Sequence, residues 1–426
     1  MGIADDSGIF RLASVGSYLD ALSSITAAMS LKERSDLIYL DKSLHRLWGL
    51  GQNVILCWSL EESGVSVVVM PHYSVASLAA AATTGASEPD DPVRPSEDFF
   101  KALLSGKRQV SPRRLDHVAR LLGAEKAHVP LRAPLGNHPA HEQIIETMVK
   151  RYSITYVPSR AVALFDIVGF GLLHPFEQMA QLNSLSYSLN SAQSKLLEKE
   201  IGVDFARTTT GDGFYVWNRA PDADANVNLY HLMYLVLADN AIARRKAQGN
   251  TVPKLRACFH IGSCYEFHQA EGLNPTLYHY IVGDVTIELA RMIDRALPHQ
   301  ILLGDFRSEH RRPDGEPAQL DAMDFVVLAS QSVRRLEGLE LSGERIETIK
   351  TYLTGTRQAD GAFTVRRITI NDKHGLSRQV FNAKANIYRR NAEPILLGIE
   401  DRLIASLEVL NNRSEHLAAR RLPETV

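Results

Sequence analysis

Apolar positions along the chain follow two periods, and each change of period marks an element. In AVALFDIVGF (161–170), Ala161 to Leu164 run through Phe165 into Asp166 and a Gly-Phe step, the pattern of a buried strand ending in a carboxylate beside a turn. In RTTTGDGFYVW (207–217), Gly211, Asp212 and Gly213 stand between Arg207–Thr210 and the apolar run Phe214–Trp217, which predicts a β-hairpin with its acid at the tip. Between these strands, 175–202 reads as one or two helices. A further helix over 226–250 carries Leu229, Leu232, Leu235 and Leu237 on its apolar stripe. Residues 255–267 read as a buried strand in which Cys258 and His260 are core or near-core, 283–298 as a helix, and 300–305 as another strand.

Upstream, VILCW (54–58) and VSVVVM (65–70) flank the polar SLEESG as a hairpin, and TTGASEPDDPVRPSED (83–98) has the composition of a linker or exposed loop. SPRRLDHVARLLG (111–123) carries Ser111 as N-cap, Pro112 at the first helical position and Gly123 as C-cap. HEQIIETMVKRY (141–152) is a helix with Ile144, Ile145 and Met148 on one stripe; His138, His141 and Glu142 lack a metal-site pattern and read as a solvated loop. Downstream, 311 to about 363 reads as a charged insertion, 363–388 as a long hairpin with NDKHG at its turn, and 395–410 as helix before a polar tail. The core order is β-α-α-β-β-α-β-α-β, an α+β arrangement that suits a ferredoxin-like palm built on split βαβ units. The expected organisation is an accessory region over 1–140, a connector helix over 141–157, a catalytic domain over 158–390 with its insertion at about 307–362, and a C-terminal helix and tail over 391–426.

Composition narrows the function classes. The chain has 426 residues, 45% hydrophobic and 23% charged, with a formal charge of −2; this is an ordinary globular balance with no basic footprint for nucleic acid. Cys57, Cys258 and Cys264 have neither zinc-site nor secreted-disulfide spacing, so a reducing, cytoplasmic compartment is expected. The stretch nearest to a membrane span, 65–82, is interrupted by Pro71, His72 and Tyr73, and the acidic N-terminus lacks the pattern of a targeting segment.

Two carboxylates on neighbouring strands, Asp166 and Asp212, are the hard oxygen ligands that Mg²⁺ or Mn²⁺ prefers, with water and substrate phosphates completing the shell. The backbone N–H groups after Asp166, through Gly169 and Phe170, can cradle phosphate oxygens, which points to a nucleoside triphosphate. Each half also has a structural reading: an acid after a strand caps helices, and Gly-Asp-Gly makes ordinary hairpins.

The three motifs FDIVGF (165–170), GDGF (211–214) and GDVTIELAR (283–291), with 212 − 166 = 46 residues between the acids, resemble the class III nucleotidyl cyclases over about 158–306 and again near 364–390. The resemblance implies two divalent ions held by Asp166, Asp212 and the carbonyl of Ile167, a nucleotide over Phe165, Gly169 and Phe170, and Arg291 stabilising charge on the transferring phosphoryl group. It implies homodimers whose sites take acids from one chain and Arg291 from the other, and a turn lysine, Lys373, reaching the triphosphate.

The chain departs from purine cyclases where they read the base. Thr208 stands in place of a lysine, Tyr280 in place of Asp or Thr, and Ile287 in place of the asparagine that precedes the helix arginine. Without both purine readers, and with the larger Tyr280 and a nearby Arg207, the pattern resembles the bacterial pyrimidine cyclases of Pycsar antiphage systems. Such enzymes make cyclic UMP or cyclic CMP for a separate effector. Arginine offers only donors and uracil two carbonyl acceptors, so UTP is favoured over CTP. Alternatives are a purine cyclase and a degenerate nucleotide-binding dimerisation module; a GGDEF-type diguanylate cyclase shares the palm and metal logic, but its GG(D/E)EF turn is missing.

Overall fold

The computed structural model describes residues 29–84, 95–132, 139–220, 222–270, 277–311, 317–357, 363–372, 375–407, 414–415 and 421–422, which divide into two compact units. The first takes in the chain to Val157 together with Tyr265–Ile281. Its helix α1 (Leu31–Trp48) opens with a capping box between Ser30 and Glu33. Strands β1 (Asn53–Glu61) and β2 (Gly64–Pro71) then form the expected hairpin. Helices α2 (His72–Thr84), α3 (Glu97–Leu104) and α4 (Pro112–Leu122) follow, then β3 (Glu125–Pro130), antiparallel to β2, and α5 (Pro139–Arg151).

Alternation along β1 and β2 builds two cores. Ile55, Val65 and Val67 pack with Leu37 and Leu40 of α1 and Ile144 and Met148 of α5, whereas Leu56, Val68 and Met70 pack with Leu104 of α3 and Leu115 of α4. In α4, Ser111 caps the N-terminus, Pro112 follows it and Gly123 closes the helix at φ 59°, as expected. Two readings change. Residues 97 and 98 begin α3, capped by Ser96, so the linker ends sooner; most of it lies outside the described residues. His141 is buried on α5 with its Nε2 3.5 Å from Glu33, because the face carrying Ile144 and Met148 also takes it inward; it is not in a solvated loop, and His138 lies outside the described residues.

The second unit holds Pro158–Cys264 and the chain from Val282. It contains most of β4 (Ile154–Ile167), then α6 (Pro175–Glu198), β5 (Phe205–Thr209), β6 (Gly213–Asn218), α7 (Ala223–Lys246) and the first part of β7 (Leu255–Ala270). The order β7-β4-β6-β5, with β4, β6 and β5 antiparallel in turn, is the ferredoxin-like palm, so the fold is α+β. Strand β8 (Leu277–Val282) leads into α8 (Asp284–Ile293), shorter than the 283–298 expected, and β9 (Ile301–Gly304) lies parallel to β7.

The insertion is more than a charged excursion. It supplies the hairpin β10 (Arg307–Arg311) and β11 (Pro317–Asp321), helix α9 (Ala322–Ser332), the short β12 (Glu340–Leu341), β13 (Glu344–Leu353) and β14 (Gly355–Arg357). Buried Phe325, Val326 and Ala329 join the main core, and β13 extends the large sheet. Strand β15 (Phe363–Val365) precedes the closing hairpin, β16 (Arg367–Asn371) and β17 (Ser377–Arg389), and β17 bridges β13 and β9. Residues 395–397, expected to start a helix over 395–410, belong instead to β18 (Ala392–Leu397) against β17; helix α10 (Asp401–Leu407) comes later. The alternation of buried Ile395 and Leu397 with exposed residues suits a strand.

One face of this sheet is covered by helices. Ala161, Ala163, Phe165, Val216, Ala257 and Phe259 pack there against α6 and the leucines of α7. Their in-between neighbours, including Asp166, Arg256, Cys258 and His260, point to the opposite face.

Candidate active site

Asp166 stands one residue from the end of β4, in register with Gly213 of β6. Gly213 is required there because an added Cβ would overlap the Phe165 carbonyl. The Ile167 N–H donates to the Asp212 carbonyl at 3.0 Å, which ties the end of β4 to the hairpin tip. At the tip Gly211 adopts φ 97°, its N–H donating to Thr209 Oγ1 at 3.0 Å, and the Thr210 hydroxyl donates to Asp212 Oδ1 at 3.1 Å. The structure therefore brings the two predicted acids to one place.

Asp166 is 6% exposed, and its Oδ2 accepts from Arg256 Nε at 2.6 Å. Arg256 Nη1 donates in turn to the Ala296 carbonyl at 3.0 Å. Burial raises the Asp166 carboxyl above the usual range; Arg256 pulls it down, and the charge of Asp212 pushes it up again. Two carboxylates that oppose each other, Asp166 buried and Asp212 half-buried, are a donor set that suits a divalent cation, to which Asp166, Asp212 and the Ile167 carbonyl could each offer an oxygen. Among the described residues no cluster of three or more His, Cys, Asp or Glu could hold a metal, so this pair would rely on backbone, water and substrate oxygens.

The phosphate loop is partly committed to the fold. The Ile167 N–H serves Asp212, and the Val168 N–H donates to the Lys254 carbonyl at 2.8 Å, so neither can turn to a phosphate without breaking these anchors. Gly169 at φ 73° opens one tight helical turn, Phe170–Leu172, and Phe170 packs partly on the core.

Arg291 lies on α8. Gly283 starts that helix at φ 141°, where an added Cβ would come within 2.9 Å of the Ser263 carbonyl oxygen. The Nε of Arg291 is 3.3 Å from Asp372 Oδ2 in the β16–β17 turn. The Asp372 side chain, 3% exposed, is shared with Arg378 Nη1 at 3.1 Å, while Arg378 Nε donates to Glu288 Oε2 at 2.6 Å. Within the chain, no hydrogen bond or ion pair joins Arg291 to Asp166 or Asp212 among the described residues.

The remaining predicted residues separate by face and by unit. Thr208 pairs with Tyr215 on the Asp166 face, and the Tyr215 hydroxyl donates to the Thr286 carbonyl of α8 at 3.2 Å. Arg207 points to the other face, its guanidinium 5.2 Å from the Phe214 ring centre. Tyr280 belongs to the first unit and stacks on Phe267 at 5.9 Å. Ile287 is 48% exposed, and Lys373 lies outside the described residues. Sequence reasoning missed Arg256, Tyr215, Asp372 and Arg378. Arg256 had a signal: in LRACFHIG it is a cation in phase with Cys258 and His260, on the face of a buried strand opposite Leu255 and Ala257.

No family model matches the chain, and no curated protein matches it. Among solved structures it is similar to the guanylate cyclase domain of RhGC from Catenaria anguillulae in complex with GTP, at 14% identity and a TM-score of 0.33, over 56% of this chain and 100% of that one. It is similar also to the adenylyl cyclase CyaB from P. aeruginosa, at 11% identity and a TM-score of 0.30, over 57% of this chain and 97% of that one. A third is the guanylyl cyclase Cya2, at 12% and 0.28, over 54% and 92%. These neighbours are class III nucleotidyl cyclase domains. Among the described residues, no helix is long and apolar enough to cross a membrane.

Proposed function

We propose that the protein is a nucleotidyl cyclase that converts a pyrimidine nucleoside triphosphate, UTP or CTP, to its 3′,5′-cyclic monophosphate and pyrophosphate; with Arg207 turned to the other face, the expected preference for UTP loses its donor. The observation that carries the reading is the meeting of Asp166, near the end of β4, with Asp212, in the β5–β6 turn, locked by the Ile167 N–H and the side-chain-free Gly213. Mn²⁺ or Mg²⁺, when bound, supplies the Lewis acidity that activates the ribose 3′-hydroxyl and neutralises the triphosphate. Asp166, Asp212 and the Ile167 carbonyl would hold it.

Arg256 fixes the rotamer of Asp166 by holding its Oδ2. Arg291, held by Asp372, stabilises charge on the transferring phosphoryl group and, as the resemblance implies, acts on the site of a second copy in a homodimer. Thr208, on the Asp166 face, contributes a hydroxyl, able to donate or accept, where purine enzymes place a lysine. The resemblance to Pycsar cyclases makes the product a cytoplasmic second messenger of antiphage defence, read by a separate effector. A purine cyclase is the alternative specificity.

A module that binds nucleotide without turnover is the second reading, favoured by Arg256 already neutralising Asp166 and by Ile287. The deciding experiment incubates the protein with ATP, GTP, CTP and UTP in Mn²⁺ and identifies products by mass spectrometry, with Asp212→Ala as control. Cyclic UMP or cyclic CMP, lost in the variant, is expected. Cyclic AMP or cyclic GMP overturns the pyrimidine assignment, and nucleotide binding without product favours the module.

A further inference from the structure

Thr208, Tyr215 and Leu164 form one row across β5, β6 and β4, on the sheet face opposite α6 and α7. Thr208 and Tyr215 are half-buried; Leu164 is buried and brings no polar side-chain atom. The Tyr215 hydroxyl lies 3.2 Å from the Thr286 carbonyl oxygen, in the first turn of the helix that carries Arg291. The row thus runs from the sheet edge at β5 inward to α8.

The direction of the Tyr215 bond is fixed. A carbonyl oxygen only accepts, so the phenol gives its one proton to Thr286. Burial pushes the Tyr215 pKa up to about 12, which keeps that proton in place at neutral pH. The Thr286 hydroxyl is spent on the Gly283 carbonyl at 2.9 Å, and among the described residues no donor reaches the Tyr215 oxygen. What Tyr215 keeps for a ligand is an acceptor alone, beside a Thr208 hydroxyl that can donate or accept.

Cytosine and uracil differ in these terms. Cytosine carries the N4 amino group, a donor, beside N3, an acceptor; uracil carries O4, an acceptor, beside the N3–H donor. The N4 or O4 group stands across the ring from the ribose, so it reaches furthest inward and meets Tyr215, while N3 meets Thr208 on the edge strand. A rotating hydroxyl serves N3 of either base. An oxygen that can only accept pairs with the amino group and opposes O4, and a mismatch of this kind is what gives a buried polar edge its selectivity.

We propose that Tyr215 is the specificity-determining residue of the site, accepting from the cytosine amino group, and that CTP is the preferred substrate over UTP. This rests on the pyrimidine cyclase reading given above. The test measures kcat/KM for CTP, UTP and ATP in Mn²⁺. The wild-type protein is expected to favour CTP over UTP at least about tenfold, and Tyr215→Phe to lose about 10- to 100-fold with CTP but not with UTP. Thr208→Val is expected to lower both without changing their ratio. A tyrosine that only anchored α8 would lower both equally on removal of its hydroxyl. Equal use of CTP and UTP, a preference for UTP, or an unchanged ratio in Tyr215→Phe overturns the proposal. ATP also presents an amino group beside an acceptor nitrogen, and its preference over CTP overturns the pyrimidine reading together with the inference. Calorimetry with the α,β-methylene analogues of CTP and UTP reads the preference without turnover. Tighter binding of the CTP analogue with no product from any nucleotide overturns the cyclase reading alone, whereas equal binding overturns the role of Tyr215.

Discussion

Replacing Arg256 by glutamine removes the partner that makes a buried Asp166 affordable. The pair is 2.6 Å apart, with side chains 26% and 8% exposed. Breaking a fully buried pair by deleting one partner costs about 3–5 kcal/mol; since a quarter of Arg256 reaches solvent, about 2–4 kcal/mol is expected near pH 8. The pH dependence tests the cause. In the wild-type protein burial and Asp212 raise the Asp166 carboxyl, and Arg256 is what lowers it, so the variant raises it further. An acid with a raised folded pKa holds its proton longer in the folded state than in the unfolded one. Stability therefore falls as pH rises from the unfolded value, about 3.9, through the folded value, and the fall is larger in the variant. The destabilisation should grow from near zero at pH 4 to its full value by pH 8.

Urea unfolding followed by the fluorescence of Trp217 on β6, in a background with Trp48 and Trp58 replaced by phenylalanine, reads the second unit alone. Adding Asp166→Asn should recover about 2 kcal/mol of the loss, because no uncompensated charge remains. A destabilisation that is constant from pH 4 to pH 8, or no recovery in the double variant, would refute the reasoning.

Other outcomes follow from the same geometry. Mn²⁺ should raise the melting temperature of the wild-type protein but not of Asp166→Ala or Asp212→Ala, and equal shifts in all three would remove the metal site from this pair. Mixing inactive Asp166→Ala and Arg291→Ala subunits should restore about a quarter of wild-type activity if a site takes groups from both chains, as statistical pairing gives one intact site in half of the dimers; no recovery in the mixture counts against shared sites. Asp372→Ala leaves Arg291 and Arg378 facing each other without their shared anion and should cost about 1–3 kcal/mol with a fall in turnover, whereas Asp372→Asn should retain part of both; wild-type turnover in the alanine variant would show that the turn does not position Arg291. Gly213→Ala should destabilise the second unit by about 3 kcal/mol or more, since its methyl group must displace the Phe165 carbonyl, and a wild-type urea midpoint would contradict the strand register.

Local patterns were legible wherever chain neighbours decide the outcome. Alternation and turn chemistry placed β4, the β5–β6 hairpin, helix α7 and the caps of α4 without any tertiary knowledge, because period, glycine and proline act over a few residues; the single apolar stripe expected on α7 is instead burial on all faces. The order of those elements was enough for the palm, and the spacing of Asp166 and Asp212 was enough to nominate the acids. Residues 395–397 went astray because a short apolar run suits helix and strand alike; only the free edge of β17 beside it selected the strand. The insertion looked peripheral for a similar reason, since charged exposed faces hide the buried alternation by which β13 completes the sheet.

What the sequence alone determined is therefore the set of chemical groups and the local elements that carry them. Tertiary structure decided which groups meet. It turned Thr208 toward the acids and Arg207 away, since a one-residue step along a strand reverses the face. It paired Asp166 with Arg256 across 90 residues, and Arg291 with Asp372, through contacts that no local pattern encodes, because they depend on which strands lie side by side and which face of the sheet is left uncovered.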